Sequence, residues 1–470
     1  MPDFVWTLAA AAVLAAVALT TRAVSDPSPW LHLKVGQYLL DGGRFGAVDP
    51  WAPFAQGHYE PTQWLPSVVT ARLYATWGLP AVAWSRTAGI VALALALLLW
   101  LRRFARPALT LPLSLLALAG SWPALTERPQ VAGFVLLVVT IGAWWASAHD
   151  GRTRWWLVPL TWLAACVHGV WSIGLGLGAL VVAGLVLART FEPRERSRMV
   201  VCLSACVAVT ALTPLGPRLT LSPLTVGGNA RQFVSEWMAS SARTPSVALT
   251  LVALAAVFAL WARSGRRPEA WQLLMWLAAI ALTLVMQRTV PVAAILAAFL
   301  LTEAVPERAL SHDPLSAGPE AGSPVPRRLP RREVAGLLAG TLVALLLAAP
   351  LAAVRARDAR GVPVALASSL RALPVGTHVV VDGDMSGWVL FAAPGLRPVF
   401  DIRVEVYPPA HVRGFIAALR AQPGWSAYLQ RTSTRAALVK QDAPLASALT
   451  DQWHWRTVGT SDGYSLLVAP

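Results

Sequence analysis

Long apolar segments alternate with short polar turns over most of the chain. Most of these segments hold about 20 residues, the length that an α-helix needs to cross the hydrocarbon core of a bilayer. The pattern therefore predicts a membrane all-α bundle of eleven transmembrane helices. They are predicted at residues 4–24, 80–101, 108–126, 129–148, 155–168, 170–188, 199–216, 246–263, 270–286, 289–305 and 333–354.

The loop at residues 25–79 contains two further segments that are partly apolar. Residues 30–40 and 63–77 are predicted as helices that lie in the membrane interface rather than across it. The second segment is short and carries Arg72 at its middle. Counting it as a span would also move Arg102 and its basic neighbours to the outer face, against the tendency of basic residues to stay in the cytoplasm.

The net charge of +15 invites a nucleic-acid interpretation, but the positions of the charges exclude it. Arginines cluster in the short turns between apolar segments, which is typical of cytoplasmic loops. This distribution places the N-terminus in the cytoplasm, and the loops at 25–79 and 217–245 and the C-terminal region outside. The clusters lie at residues 102–106, 152–154, 189–198, 263–267 and 308–332.

Composition narrows the class further. With 56% hydrophobic residues, 13% charged residues and a mean hydropathy of +0.55, the chain is not an ordinary soluble domain. All three cysteines fall in apolar segments, so neither a disulfide framework nor a cysteine metal motif is predicted. The preference for Arg over Lys and the abundance of Ala indicate a GC-rich bacterial genome. The expected location is the bacterial cytoplasmic (inner) membrane.

The C-terminal part of the chain changes in character. Residues 1–305 form the predicted transmembrane core, 306–332 a disordered cytoplasmic linker, 333–354 the last span and 355–470 a small extracytoplasmic α/β domain. The domain has no glycine-rich phosphate loop, so nucleotide binding is not predicted. Strands are predicted at 378–382, 398–402, 436–440 and 464–468, and helices at 386–391, 410–419, 425–430 and 445–452.

The first external loop carries the most suggestive acid. Asp26 follows the first span directly and is held by Pro27 and Pro29, and His32 lies six residues further on. A carboxylate fixed at a membrane face suits a general base that acts on a hydroxyl, or a metal ligand. Other polar residues of the loop have a plainer explanation, because an external loop is in contact with water.

Further polar residues lie at the outer ends of other spans in this topology. Ionisable residues at such positions are costly and are treated as functional hypotheses. Arginines facing an acid at the outer leaflet would suit a lipid-linked phosphate, which a guanidinium binds by a two-pronged fork. The alternative is that the arginines reach out to lipid headgroups. At span ends these residues are Arg128, Gln130, His168 and Arg288; the external segment 231–237 adds Arg231 and Glu236 on the same predicted face.

Short motifs along nearly the whole chain resemble those of the bacterial GT-C-type membrane glycosyltransferases, in an unassigned branch with a soluble C-terminal domain. The resemblance implies transfer of a sugar from a polyprenyl-phosphate donor on the outer face, with Asp26 as general base and His32 orienting it or the acceptor. It also implies that Asp49, Gln63 and Trp64 of the first loop contribute to binding. The motifs are Asp26, Trp30, His32 and Gly36; Gly43, Asp49-Pro50, Gly57 and Gln63-Trp64-Leu65; Arg128-Pro129-Gln130, His168-Gly169, Pro214-Leu215-Gly216 and Glu236-Trp237; and Asp382, Ser386-Gly387-Trp388 and Val399–Tyr407.

Two departures from the family pattern bear on a metal cofactor. Related sequences often carry acids where this chain has Ser28 and Gln63. No metal ligand is therefore assigned, although a divalent metal ion is left open as a cofactor. Inversion with a single Asp base remains chemically reasonable.

Three functions remain in competition at this point. The leading one is an enzyme that transfers a hexosyl or pentosyl group to a glycan, lipid or protein acceptor of the envelope. The main alternative is a non-enzymatic multipass membrane protein, either a transporter or an envelope-assembly scaffold. A transporter predicts ionisable residues near mid-membrane, whereas this chain places its charges at the outer ends. The third is a polymerase or ligase of lipid-linked glycans.

Overall fold

The chain is mostly helical, as the apolar pattern predicts. A computed structural model describes residues 3–57, 60–225, 231–265, 267–305 and 327–470. Each of the eleven predicted apolar segments contains a helix, and both loop segments are helical too. The helices are α1 (Asp3–Ala18), α2 (Ser28–Leu40), α3 (Trp64–Trp77), α4 (Leu79–Leu101), α5 (Pro107–Ser121), α6 (Gln130–Asp150), α7 (Leu157–Val167), α8 (Trp171–Ala188), α9 (Pro193–Thr210), α10 (Pro217–Thr225), α11 (Pro245–Ser264), α12 (Ala270–Val285), α13 (Val290–Ala304) and α14 (Arg331–Arg355).

Within the described residues, seven helices are long and apolar enough to cross a membrane. Two of the seven, α5 and α13, reach 18 residues together with an adjoining 3₁₀ turn, at Pro107–Ala124 and Gln287–Ala304. The other predicted spans are helices too, but α1, α7 and α12 are shorter than 18 residues, and α9 begins in a charged stretch. The chain is thus a multi-span membrane protein, while the full number of crossings and their direction stay predictions. Residues 306–326 of the predicted cytoplasmic linker lie outside the described part of the chain.

The predicted direction can be tested by thiol labelling in intact cells. We expect an impermeant reagent to label Val48→Cys and Pro423→Cys but not Ser197→Cys, because only the first two lie on predicted outer segments. All three positions are exposed, Val48 at 78%. The three native cysteines are buried, which keeps the background low. Labelling of Ser197→Cys together with protection of Pro423→Cys would invert the topology.

The chain divides into two compact units, which are described separately. The first unit is built around α13, whose residues are all buried. Helix α13 packs against α5, α11 and α12, and these helices approach closely where small residues face each other. A Cβ atom added to Gly120 of α5 would lie only 2.5 Å from the Cβ of Ala294. The first unit comprises Met1–Thr21, Trp84–Pro223 and Ser235–Leu351, and the second Arg22–Ala83, Leu224–Val234 and Ala352–Pro470.

A buried polar network that sequence reasoning did not anticipate ties helices of the first unit together. The carboxylate of Glu303 lies 2.9 Å from Nε2 of His149 and accepts a hydrogen bond from Nε1 of Trp145 at 3.0 Å. In the same unit, Nε of Arg102 lies 3.0 Å from the carboxylate of Glu333. Buried charges need such partners because desolvation penalises the charged form. We interpret both pairs as structural.

The second unit combines the first loop with the C-terminal domain. Its five-stranded sheet has the order β2-β1-β3-β5-β4, with β1 parallel to β2 and β3, and β5 antiparallel to β3 and β4. The predicted small α/β domain is therefore present. Its strands are β1 (His378–Val381), β2 (Arg397–Pro398), β3 (Thr434–Lys440), β4 (Arg456–Ser461) and β5 (Tyr464–Val468), and its helices are α15 (Ala367–Arg371), α16 (Ser386–Ala392), α17 (Pro409–Leu419), α18 (Trp425–Arg431) and α19 (Pro444–Trp453).

Two strands of this sheet differ from the prediction. The strand expected at 398–402 is only the two-residue β2. The chain turns there, because the carboxylate of Asp401 accepts the backbone N–H of Arg403 and a 3₁₀ turn follows at Val404–Val406. Strand β4 was missed entirely. It lies at the sheet edge, largely exposed, so its sequence lacks the apolar alternation that marks a half-buried strand.

Candidate functional site

The loop at residues 25–79, which is predicted to be external, is organised by close packing of α2 on α3. A Cβ atom added to Gly36 would lie 2.1 Å from the carbonyl oxygen of Ser67, so only glycine allows the two helices to approach this closely. The contact brings His32 of α2 to α3, where its Nδ1 lies 3.1 Å from the hydroxyl of Ser67. The loop therefore positions His32 through a second side chain that sequence reasoning did not single out.

The Ser67 hydroxyl determines which ring nitrogen of a neutral His32 carries the proton. Ser67 donates its own hydrogen to the carbonyl of Gln63 at 2.8 Å. It can then only accept from His32, which places the imidazole hydrogen on Nδ1 and the lone pair on Nε2. The predicted binding residue Gln63 thus acts here through its backbone, as the start of the hydrogen-bond chain.

Asp26 lies at the N-terminus of α2. Its Oδ1 accepts a hydrogen bond from the backbone N–H of Ser28 at 2.8 Å, and a carboxylate is favoured there by the positive end of the helix dipole. The sequence placed Asp26 beside a rigid turn, and the hydrogen bond gives the side chain a defined orientation.

The C-terminal domain holds the first turns of α2. Gly387 of α16 comes so near to Leu31 that an added Cβ would meet its backbone nitrogen at 3.1 Å. One turn after Gly387 on α16, the ring of Phe391 lies 5.3 Å from the ring of Trp30, measured between centroids. The segment that carries Asp26 and His32 is therefore fixed by the soluble domain within the second unit.

Asp49 lies in a buried ion-pair cluster rather than at an open surface. Its Oδ2 pairs with Nη1 of Arg403 at 2.7 Å, and Nη2 of Arg403 pairs with Asp401 at 2.6 Å. Burial alone would lower the pKa of the Arg403 guanidinium, but the two carboxylates raise that pKa well above its usual value. Asp49 also accepts the backbone N–H groups of Trp51 and Ala52. These contacts fasten the first loop to the C-terminal domain.

Trp64 opens α3 and packs edge-on against Phe45, with ring centroids 6.0 Å apart. Its indole nitrogen is buried and has no hydrogen-bond partner in the described structure. Both rings belong to the second unit. Trp64 thus contributes to the packing of the loop, and its predicted binding role remains a prediction.

In the first unit, three predicted residues that are far apart in sequence meet. Arg128 donates from Nη1 to both carboxylate oxygens of Glu236 at 2.9 and 3.1 Å, and Nη1 of Arg288 lies 3.8 Å from the same carboxylate. Arg288 also lies over the ring of Trp237, 5.6 Å from its centroid. We call Arg128, Glu236 and Arg288 the double-arginine cluster. Its side chains are 25%, 41% and 30% exposed, so a ligand can reach them.

Backbone pairing fixes the segments that carry this cluster. The N–H of Gln287 donates to the carbonyl of Met238 at 3.1 Å, and the N–H of Ser240 donates to Leu284 at 3.2 Å. The residues after Glu236 are therefore bonded to the turn that carries Arg288. Such fixed backbones reduce the entropy that the two arginines lose when they hold an anion.

The remaining predicted residues take other positions. Gln130 donates to the carbonyl of Ala124 at 2.6 Å and is buried, and His168 is buried and accepts the N–H of Val170. Both stabilise turns at the ends of α6 and α7. Arg231 is exposed in the second unit, and its neighbour Phe233 packs against the core of the C-terminal domain.

No metal centre is built from the described residues. In that part of the chain, no group of three or more His, Cys, Asp or Glu side chains is placed to hold a metal ion. The divalent metal ion that the sequence left open as a cofactor therefore stays a prediction, and no chemical step is derived through one.

Comparison with solved structures identifies the fold. The archaeal oligosaccharyltransferase AglB from Archaeoglobus fulgidus, in complex with an inhibitory peptide and a dolichol-phosphate, aligns with a TM-score of 0.62 at 12% identity, over 93% of this chain and 69% of that chain. ArnT from Cupriavidus metallidurans, bound to undecaprenyl phosphate, aligns with a TM-score of 0.52 at 16% identity, over 99% and 97%. No family model and no curated protein matches the sequence. The chain has the fold of the GT-C membrane glycosyltransferases, as the sequence motifs predicted.

Proposed function

We propose that this protein transfers a sugar from a polyprenyl-phosphate-linked donor to an envelope acceptor at the outer face of the bacterial cytoplasmic membrane. The GT-C fold supports the reaction class, and two of the solved structures that share it are bound to dolichol-phosphate and to undecaprenyl phosphate. A fold alone does not define chemistry, so the proposal depends on the residues below.

The observation that carries the proposal is the double-arginine cluster. Two guanidinium groups lie against the single carboxylate of Glu236, so the three side chains together carry one net positive charge. Arginine binds phosphate by charge-assisted hydrogen bonds, which are the strong ones in proteins. We assign Arg128 and Arg288 to the phosphate of the donor, with Glu236 holding both arginines in place until the donor binds.

Asp26 is assigned as the general base. The acceptor hydroxyl oxygen attacks the anomeric carbon of the donor sugar, the bond from that carbon to the phosphate oxygen breaks, and the polyprenyl phosphate leaves. Asp26 takes the proton of the hydroxyl. His32, whose lone pair is directed to Nε2 by Ser67, orients the acceptor, and the C-terminal domain selects it.

A matched pair of variants tests the donor site. We expect Arg128→Gln to weaken donor binding by about 10- to 150-fold, because it removes charge-assisted bonds worth about 1.5–3 kcal/mol. Glu236→Gln breaks the same ion pair but leaves both cations, so donor binding should hold or strengthen. Binding is measured with undecaprenyl phosphate and the purified protein in nanodiscs.

If Arg128→Gln and Glu236→Gln lose donor binding equally, with a matching loss of thermal stability, the double-arginine cluster is structural and only holds the turns together. Undiminished binding in both variants would remove the arginines from the donor site. Undecaprenyl phosphate binding without sugar transfer by the wild type would favour a lipid-handling transporter instead.

A further inference from the structure

One face of α2 carries polar and aromatic side chains that the proposed reaction does not use. Lys34, Gln37, Tyr38 and Asp41 follow the spacing i, i+3, i+4 and i+7, which puts them on the same side of a helix. Together with Trp51 of the following loop they line an open pocket of about 330 Å³. That volume lies at the lower end of the range of about 300–1,000 Å³ for small-ligand sites, so it suits a ligand of one ring.

The two aromatic walls are fixed before any ligand arrives. The hydroxyl of Tyr38 accepts the backbone N–H of Arg44 at 3.1 Å and donates to the carbonyl of Arg44 at 3.3 Å. Gly43 has to be glycine, since a Cβ atom there would lie 2.3 Å from the Tyr38 ring. The rings of Tyr38 and Trp51 meet edge to face with centroids 5.4 Å apart.

The buried ion-pair cluster extends to the same wall. Arg403 lies over the Trp51 ring, 5.6 Å from its centroid, and Asp49 holds the backbone N–H of Trp51. Preorganised aromatic walls reduce the entropy that is lost on binding. The pocket is thus a built site rather than an accidental gap between side chains.

The polar groups of the pocket determine which ligand suits it. Asp41 only accepts hydrogen bonds when ionised, Lys34 only donates, and Gln37 does both. A phosphate or carboxylate ligand would oppose Asp41, and an amine would oppose Lys34. Hydroxyl groups donate and accept, so a ring bearing several of them satisfies all three residues while its C–H face lies on the half-buried ring of Tyr38, which the buried Trp51 supports.

A ligand with several hydroxyl groups would stabilise the charged form of Lys34. Burial lowers its pKa, Asp41 opposes that shift and the charge of Arg397 adds to it. A half-buried ammonium group that has lost water needs acceptors to replace it, and hydroxyl oxygens provide them. The electrostatics thus agree with the geometry.

We propose that this pocket binds one pyranose ring of the acceptor, which makes the acceptor a glycan. The identification of the bound sugar as part of the acceptor rests on the proposed function. Binding of a sugar to the pocket does not, since it needs no donor. No residue assigned to the donor or to proton transfer lines it.

The test is saturation-transfer NMR on the full-length protein in nanodiscs, with the methyl pyranosides of glucose, mannose and galactose as probes. We expect saturation to reach the ring C–H groups of at least one probe. Gln37→Ala and Asp41→Asn should each weaken that binding by about tenfold, the effect of one hydrogen bond to a charged or amide group. Asp442→Asn, the same change at an exposed position of the C-terminal domain, should have no effect.

Absence of saturation for all three probes would overturn the proposal, as would equal binding by the wild type, Gln37→Ala and Asp41→Asn. Undecaprenyl phosphate binding separates this failure from that of the proposed function. If the donor lipid binds and no pyranoside does, only the sugar pocket is wrong; if the reverse holds, the proposed function is wrong and the sugar pocket stands.

Discussion

Asp26→Asn is expected to lower the rate of sugar transfer by about 10²–10⁴-fold, the usual contribution of a positioned general base. The amide keeps the shape of the side chain, and its carbonyl oxygen can still accept the N–H of Ser28, the first residue of α2. The start of α2 should therefore fold normally. Only the ability to take a proton is removed.

The control for Asp26→Asn is Glu60→Gln, the same exchange of a carboxylate for an amide in the same loop, which should leave turnover nearly unchanged. Both variants are measured for transfer at saturating donor, and their thermal stability is compared with that of the wild type. Near-normal turnover of Asp26→Asn would remove Asp26 as the base. A matching loss of stability in Asp26→Asn would make the bond between Asp26 and Ser28 structural only.

Arg403→Ala is expected to destabilise the second unit by about 3–5 kcal/mol, the effect of leaving buried charges without their partner. Asp49 and Asp401 have side chains only 6% and 2% exposed, so both carboxylates would lose their main compensation. The first loop would then separate from the C-terminal domain. Limited proteolysis should reveal this as faster cleavage within residues 41–57.

Arg413→Ala is the control for Arg403→Ala, because Arg413 is an exposed arginine of α17 in the same domain. It should change neither stability nor cleavage. Unchanged protease resistance and thermal stability of Arg403→Ala would contradict the role given to the ion pairs.

The helices of the membrane unit could be predicted from sequence because each is determined by its own run of apolar residues. A run of apolar residues long enough to bury its own backbone needs no distant partner to become a helix. The break between α7 and α8 could also be predicted, because His168-Gly169 interrupts an otherwise apolar run. Strand β4 was not visible, because an exposed edge strand is defined by the neighbour with which it pairs.

The candidate site was predictable as residues but not as contacts. Arg128 and Arg288 were selected because each lies at the predicted outer end of a span, and Glu236 because it lies in a predicted outer loop, yet nothing in the sequence pairs them with one another. Asp49 was predicted as a binding residue, and its Arg403 partner lies 354 positions further along the chain. Arg403 itself was noticed only as part of a strand end, and Ser67, whose bond to His32 fixes the tautomer, carried no recognisable signal.

The most direct test of the proposed function is sugar transfer by the purified wild-type protein in nanodiscs, from polyprenyl-phosphate-linked hexose and pentose donors to envelope glycan. The GT-C fold, the double-arginine cluster and the position of Asp26 together predict turnover that requires the lipid phosphate and is lost in Asp26→Asn. Absence of transfer with every donor, by protein that is folded and binds undecaprenyl phosphate, would contradict the assignment as a glycosyltransferase.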